Sequence, residues 1–293
     1  MTKASLYGQL ISPFNASKPW KRMKYVVLIL LLTACASSQE TPSSQSVSSA
    51  SPQAIPTDQE NTRKARAVLD EAIRALGGSA YLNVQDMATE GRSYSFHHGQ
   101  PNSVGTVFWR FRKFPDKDRI ELTKKRDVIE IYNGDKGYEV TYKGARNLDE
   151  KDELQPYLRL RHFALDAVLR RWLNTPGVAL FYEGQTVAAQ KQTDQVTVMN
   201  AKNEGVTLYI DSSTRLPVKK TFTWRDATDK QRNVEEEIFD NYRPIQGVMT
   251  PFDITRLFNG EMSAQFFLTN VSYNRALDDS LFDPVATSHG KQR

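Results

Sequence analysis

The sequence predicts a mainly β (α+β) protein: one large curved antiparallel sheet, or an unclosed barrel, of roughly ten strands with two helices. Three observations lead there. Between residues 106 and 273, short stretches alternate apolar and polar residues, and turn residues separate them. Only two stretches, around 65–76 and 154–172, carry apolar residues at helical spacing. No phosphate-cradling Gly-rich loop, dinucleotide fingerprint or nucleophile elbow interrupts the pattern.

In chain order, the first informative segment is the apolar run Tyr25–Thr33. It is much shorter than the ~20 residues of a membrane-spanning helix. Lys18, Lys21, Arg22 and Lys24 precede it and small residues follow, which is the layout of a secretory signal peptide. Leu32-Thr33-Ala34-Cys35 resembles the lipobox of bacterial lipoproteins. That resemblance implies that residues 1–34 are removed and that Cys35 is the lipidated N-terminus, a membrane anchor. Met23 begins a complete leader of this kind, so translation is expected to start there. Ala36 behind Cys35, rather than Asp, favours the outer membrane, with the domain facing the periplasm.

Cys35 is the only cysteine, so the folded part is expected to hold neither a disulfide nor a cysteine-ligated metal. The leader also accounts for the formal charge of +5. It holds five of the 39 basic residues and none of the 34 acidic ones. The remaining chain is neutral, which removes the charge argument for nucleic-acid binding. Residues 35–57 are rich in Ser, Pro and Gln and read as a flexible tether, too apolar-poor to offset the entropy of ordering.

The folded domain is expected over residues 58–285. Thr57 or Asp58 caps a helix whose Ala65, Val68, Leu69, Ala72, Ile73 and Leu76 share one face, and Gly77-Gly78 ends it. Thr106–Phe114, Arg119–Leu122 and Val128–Tyr132 read as strands, and Asn133-Gly134 as a hairpin turn before Gly137–Tyr142. A second amphipathic helix is expected over Glu153–Leu173, with Pro156 in its first turn. Seven strands follow: Val178–Tyr182, Gln195–Met199, Val206–Asp211, Val218–Trp224, Val234–Tyr242, Phe252–Phe258 and Ala264–Tyr273. Residues 277–284 read as a turn or cap, and 286–293 as a disordered tail.

Chemistry-bearing residues are sparse. His97 and His98 are neighbours on a strand or turn and point to opposite faces, so they do not chelate one metal. His162 is expected at a helix boundary and His289 in the tail. Glu235-Glu236-Glu237 reads as a solvated strand edge, with one carboxylate able to turn inward. No nucleophile–base pair or carboxylate pair stands out. The chain is therefore read as a binding protein without a cofactor rather than an enzyme. Its many strand aromatics either fill a core or line an apolar cavity.

Residues 75–91 (ALGGSAYLNVQDMATEG), together with Gly247–Ile254 and Leu277–Pro284, resemble the LolA/LolB-like superfamily, the outer membrane lipoprotein-sorting proteins. The resemblance implies an unclosed antiparallel barrel whose concave face is covered by helices, with acyl chains held between them. Gly77, Gly78, Pro251, Phe252, Leu281, Phe282 and Pro284 fall on its scaffold motifs. The stretch Leu154–Leu173 would be the lid. The candidate cavity residues are then Phe108, Leu158, Leu165, Leu169, Trp172, Phe222, Trp224, Phe252 and Phe266. The expected function is a membrane-anchored lipoprotein that holds a lipid or the acyl chains of a protein during envelope trafficking. The alternative is an envelope sensor of the same fold that binds a protein partner.

Overall fold

Fourteen strands form a single antiparallel sheet in the computed structural model, which describes residues 57–290. The leader, Cys35 and most of the tether lie outside the described residues. Helix α1 (Thr57–Ala75) leads through α2 (Ser79–Leu82) into β1 (Asp86–His97). The short β2 (Gln100–Pro101) pairs with the end of β1. A meander follows: β3 (Thr106–Lys113), β4 (Lys117–Leu122), β5 (Val128–Asn133), β6 (Lys136–Thr141) and β7 (Gly144–Asn147). The chain then crosses to the far edge through a π-helical turn (Glu150–Leu154), α3 (Gln155–His162), α4 (Leu165–Arg170) and a 3-10 turn (Trp172–Asn174).

A second meander returns from that edge: β8 (Ala179–Ala188), β9 (Lys191–Met199), β10 (Gly205–Asp211), β11 (Pro217–Arg225), β12 (Arg232–Ile245), β13 (Val248–Phe258) and β14 (Glu261–Tyr273). β14 pairs with β1, so the two meanders meet in the middle of the sheet and β7 and β8 are its edges. The sheet does not close into a barrel. Register shifts at Glu90/Gly91, Tyr182/Gly184, Tyr209/Ile210 and Arg256/Leu257 place irregularities along the strands, and such bulges bend a strand and increase its twist. The edge at β8 is covered by α1, where Asn61 Nδ2 donates to Tyr182 O at 2.7 Å and Asn61 Oδ1 accepts from Tyr182 N at 2.9 Å.

The expected open, mainly β architecture is therefore present, with more strands than the roughly ten foreseen. β1 is the main omission. Its inward positions include Thr89, Ser93 and Ser95, all buried, so its sequence lacks an apolar alternation. The helix expected over Glu153–Leu173 is divided. Asp149 caps its π-helical start by accepting from Lys151 N and Asp152 N, and the chain is extended at Ala164. The tail is helical over Pro284–Gly290, part of the stretch read as disordered from 286.

Two main clusters fill the helix-covered face. Ala65, Leu69, Ala72 and Leu76 of α1 pack with Phe163, Leu169 and Trp172 on β8–β11, through Val196, Leu208 and Phe222 among others. Phe108, Ile120, Leu122, Tyr132 and Tyr157 make a second cluster. The opposite face of β5 and β6 is covered by the C-terminal segment, where Phe282 is fully buried against Ile129, Ile131 and Val140. Alternation explains this double burial, since Ile129 and Ile131 point away from Tyr132.

Candidate functional site

Between those two clusters the helices do not fill the space above the sheet. A cavity of about 220 Å³ remains, lined by β1, β3, β4, β12, β13 and β14 below and by α3 and α4 above. Strand alternation sets its walls. From the β3 segment Phe108, Arg110, Arg112 and Phe114 face it, and from β4 Ile120 and Leu122. Ile254 and Arg256 contribute from β13, and Phe266 and Leu268 from β14. Tyr157, Leu160, Arg161, Leu165, Asp166 and Arg170 come from the crossing helices.

The two ends differ chemically. Phe108 pairs across to Leu122 and Gly91 to Leu268, and with Phe266 these residues make an apolar end. Phe108 and Phe266 meet edge to face at 6.1 Å. The other end lies where β1 begins, β3 ends and β4 begins, and guanidinium groups gather there. Arg112 Nη2 donates to Asp166 Oδ2 at 3.2 Å. Arg112 and Arg170 each lie over the Phe114 ring, at 4.6 and 4.5 Å. Arg170 Nη2 donates to the carbonyl oxygens of Leu82 and Val84. Arg161 donates to Asp116 O at 3.0 Å and Gly134 O at 2.7 Å. Deeper in, Arg110 makes a forked pair with Asp118, which also accepts from Tyr157 Oη at 2.8 Å.

Burial opposes ionisation of Asp166, yet Arg112, Arg170 and Lys220 outweigh it and hold the carboxyl below its ordinary range. Burial pushes the Tyr81 phenol far up, with the Asp166 charge adding to it, and its Oη has no hydrogen-bond partner. Desolvation also lowers the pKa of Arg170.

A second buried network flanks the cavity. Lys220, 1 % exposed, donates from Nζ to Glu237 Oε2 at 2.8 Å and to Phe163 O at 2.7 Å. Arg256 Nε donates to Glu237 Oε1 at 2.8 Å. Burial alone would raise the Glu237 carboxyl, but these two cations bring it down to about 2. Its neighbour in alternation, Glu235, has Arg159 no closer than 4.0 Å, and burial lifts it to about 7 against the pull of Arg159 and Arg256. The triple-Glu stretch is thus an interior strand rather than a solvated edge. Glu235 and Glu237 point inward, and Glu236 pairs with Lys219 on the other face.

Of the cavity residues expected from sequence, Phe108, Leu165 and Phe266 line the space. Leu169, Trp172 and Phe222 belong to the core cluster beneath α1, and Trp224 packs against it under the Arg159 guanidinium at 3.5 Å. Leu158 packs with the Phe108 cluster, and Phe252 with Val248 and Tyr273. The arginines were missed because Arg110 and Arg112 occupy the polar positions of an alternating strand, which ordinarily face water. Among the histidines, His97 and His98 sit at the exposed end of β1, and His162 ends α3 and pairs with Glu204 at 2.8 Å.

Neither a protein-family model nor a curated protein matches the sequence. Solved structures do. A DUF1329 family protein from Desulfovibrio piger is similar with a TM-score of 0.54 at 14% identity, over 75% of this chain and 97% of that one. A Vibrio parahaemolyticus domain named for outer membrane lipoprotein sorting is similar with a TM-score of 0.51 at 8% identity, over 76% and 97%. A LolA superfamily protein from Nitrosomonas europaea reaches 0.45 at 12% identity, over 74% and 96%. The fold is shared with the first two of these structures, and the second carries the lipoprotein-sorting name that the sequence motifs suggested. At these identities the likeness concerns the fold alone.

Proposed function

We propose that this domain binds an acyl chain, of a lipid or of a lipoprotein, in the cavity between its sheet and its crossing helices. The observation that supports this is the cavity itself, a largely apolar space left open inside an otherwise close-packed domain. Burial of each methylene contributes about 0.8 kcal/mol, so a chain is held without any reaction at the protein. The leader pattern adds the setting: a lipoprotein tethered through Cys35 in the cell envelope, at the outer membrane, taking part in lipid or lipoprotein trafficking.

The crossing helices act as the cover. Polar ties fasten them: Arg112 to Asp166, Tyr157 to Asp118, and Arg161 to two turn carbonyls. Phe163 and Trp172, just beyond α3 and α4, anchor the cover on the neighbouring core, Phe163 stacking on Phe222 at 4.3 Å. Native mass spectrometry of the protein extracted from membranes tests the reading. A co-purifying lipid mass is expected. A ligand-free protein that also fails to take up an added fluorescent apolar probe would refute it.

A further inference from the structure

The cavity is polar at one end in a particular way. Its lining holds five arginines, Arg110, Arg112, Arg161, Arg170 and Arg256, against two carboxylates, Asp166 and Glu237. Asp118 behind the wall neutralises Arg110, and Lys220 adds another cation beside Glu237, so an excess of positive charge remains. Two of the guanidiniums have no carboxylate at ion-pair distance among the described residues, though Arg170 feels the Asp166 charge that Arg112 already pairs. Arg161 and Arg170 donate only to main-chain carbonyls, Arg170 just before β1 and Arg161 at the β3–β4 and β5–β6 turns, along the same end of the sheet.

Two polar atoms there are buried without a partner, Arg170 Nε and Tyr81 Oη, and both residues line the cavity. Buried donors left unpaired are costly, and a cation without an anion more so. An apolar ligand would leave both donors as they are. An anion at this end would satisfy them together and offset the charge excess.

Resting on the acyl-chain reading above, the geometry points to an anionic amphiphile as the ligand. Its head, a carboxylate or a phosphate, sits against Arg170 and Tyr81 Oη, with Arg161 adding positive charge further along the same end. Its tail runs toward Phe108, Leu122 and Phe266 at the apolar end. The head chemistry is shared by free fatty acids and by phospholipid-type phosphate esters, and the two are separated by experiment.

The full chain is titrated with dodecanoate, dodecyl phosphate and dodecanol, each read by displacement of a bound fluorescent apolar probe. At least one anion should displace the probe at about tenfold lower concentration than dodecanol, the effect of one or two charge-assisted hydrogen bonds. Whichever anion is stronger identifies the head. Arg170→Gln should bring anion and alcohol to within about twofold of each other while leaving dodecanol unchanged. Because Arg170 also holds Leu82 and Val84, Tyr81→Phe is the second variant. Its lost hydroxyl has no partner in the protein, so the melting temperature should hold or rise while the anion preference shrinks. Equal displacement by all three compounds, or an anion preference unchanged in both variants, overturns the anionic-head inference and leaves the acyl-chain reading standing. Displacement by none of them overturns both.

Discussion

Glu235 and Glu237 sit two positions apart on one face of β12 and are driven in opposite directions. In the unfolded chain both ionise near 4.5. Folded Glu237, at about 2, contributes stability that is present above 4.5 and is lost as the pH falls toward 2. Folded Glu235 keeps its proton until about 7, so stability declines as the pH rises from 4.5 to 7 and then levels off. Glu235→Gln should therefore gain stability over the wild type, by about 2 kcal/mol more at pH 8 than at pH 5, in denaturant melts at the two values. A difference that does not change with pH would show that Glu235 titrates normally. Lys220→Met tests the partner network. It leaves Glu237 with Arg256 alone and orphans the Phe163 carbonyl, so a loss of about 3 kcal/mol is expected by the same measurement.

At the scale of elements, the junction after α1 is tightest at Gly77. Its φ is +125°, and a Cβ there would lie 2.2 Å from the Gly247 carbonyl oxygen in the β12–β13 turn. Gly78 also has a positive φ, +57°, but nothing lies near its missing side chain. Gly77→Ala is expected to cost more than about 2 kcal/mol and Gly78→Ala about 1, measured by thermal unfolding. Equal costs would mean that backbone conformation alone matters. The sequence made this junction legible, because a Gly-Gly pair after a helical stripe has few other uses. It made β3 legible as a strand and Phe108 as a cavity residue, but not the arginines beside it. In TVFWRFRKF the more apolar set, Val107, Trp109 and Phe111, faces away from the cavity, where Arg126 lies over Trp109 at 4.0 Å. On the face toward the cavity, Phe108 is joined by Arg110 and Arg112, residue types that ordinarily face water. Their partners, Asp118, Tyr157 and Asp166, come from β4 and the crossing helices, and no local pattern announces them. Glu235 and Glu237 were misread for the same reason, since Arg159, Lys220 and Arg256 reach them from three other elements.

For the whole molecule, the open sheet was readable from its turns and alternation, while its centre was not. β1 lies between β3 and β14 and presents small and hydroxyl side chains inward, so no apolar alternation marks it as a strand. Its place follows from the pairing of Met87 with Tyr273, which joins the first meander to the last strand. A chain ended before Glu261 would lack β14 and leave β1 and β13 with open edges. Such a truncation should lose cooperative unfolding altogether rather than yield a smaller stable domain, as read by circular dichroism against temperature. The same pairing carries a consequence for biogenesis. The ribosome releases β1 well before β14, so the middle of the sheet is sealed only once β14 has emerged. Until then β1, already paired with β3 on one side, presents an open edge on the other, and how long that edge is exposed depends on how soon β14 emerges.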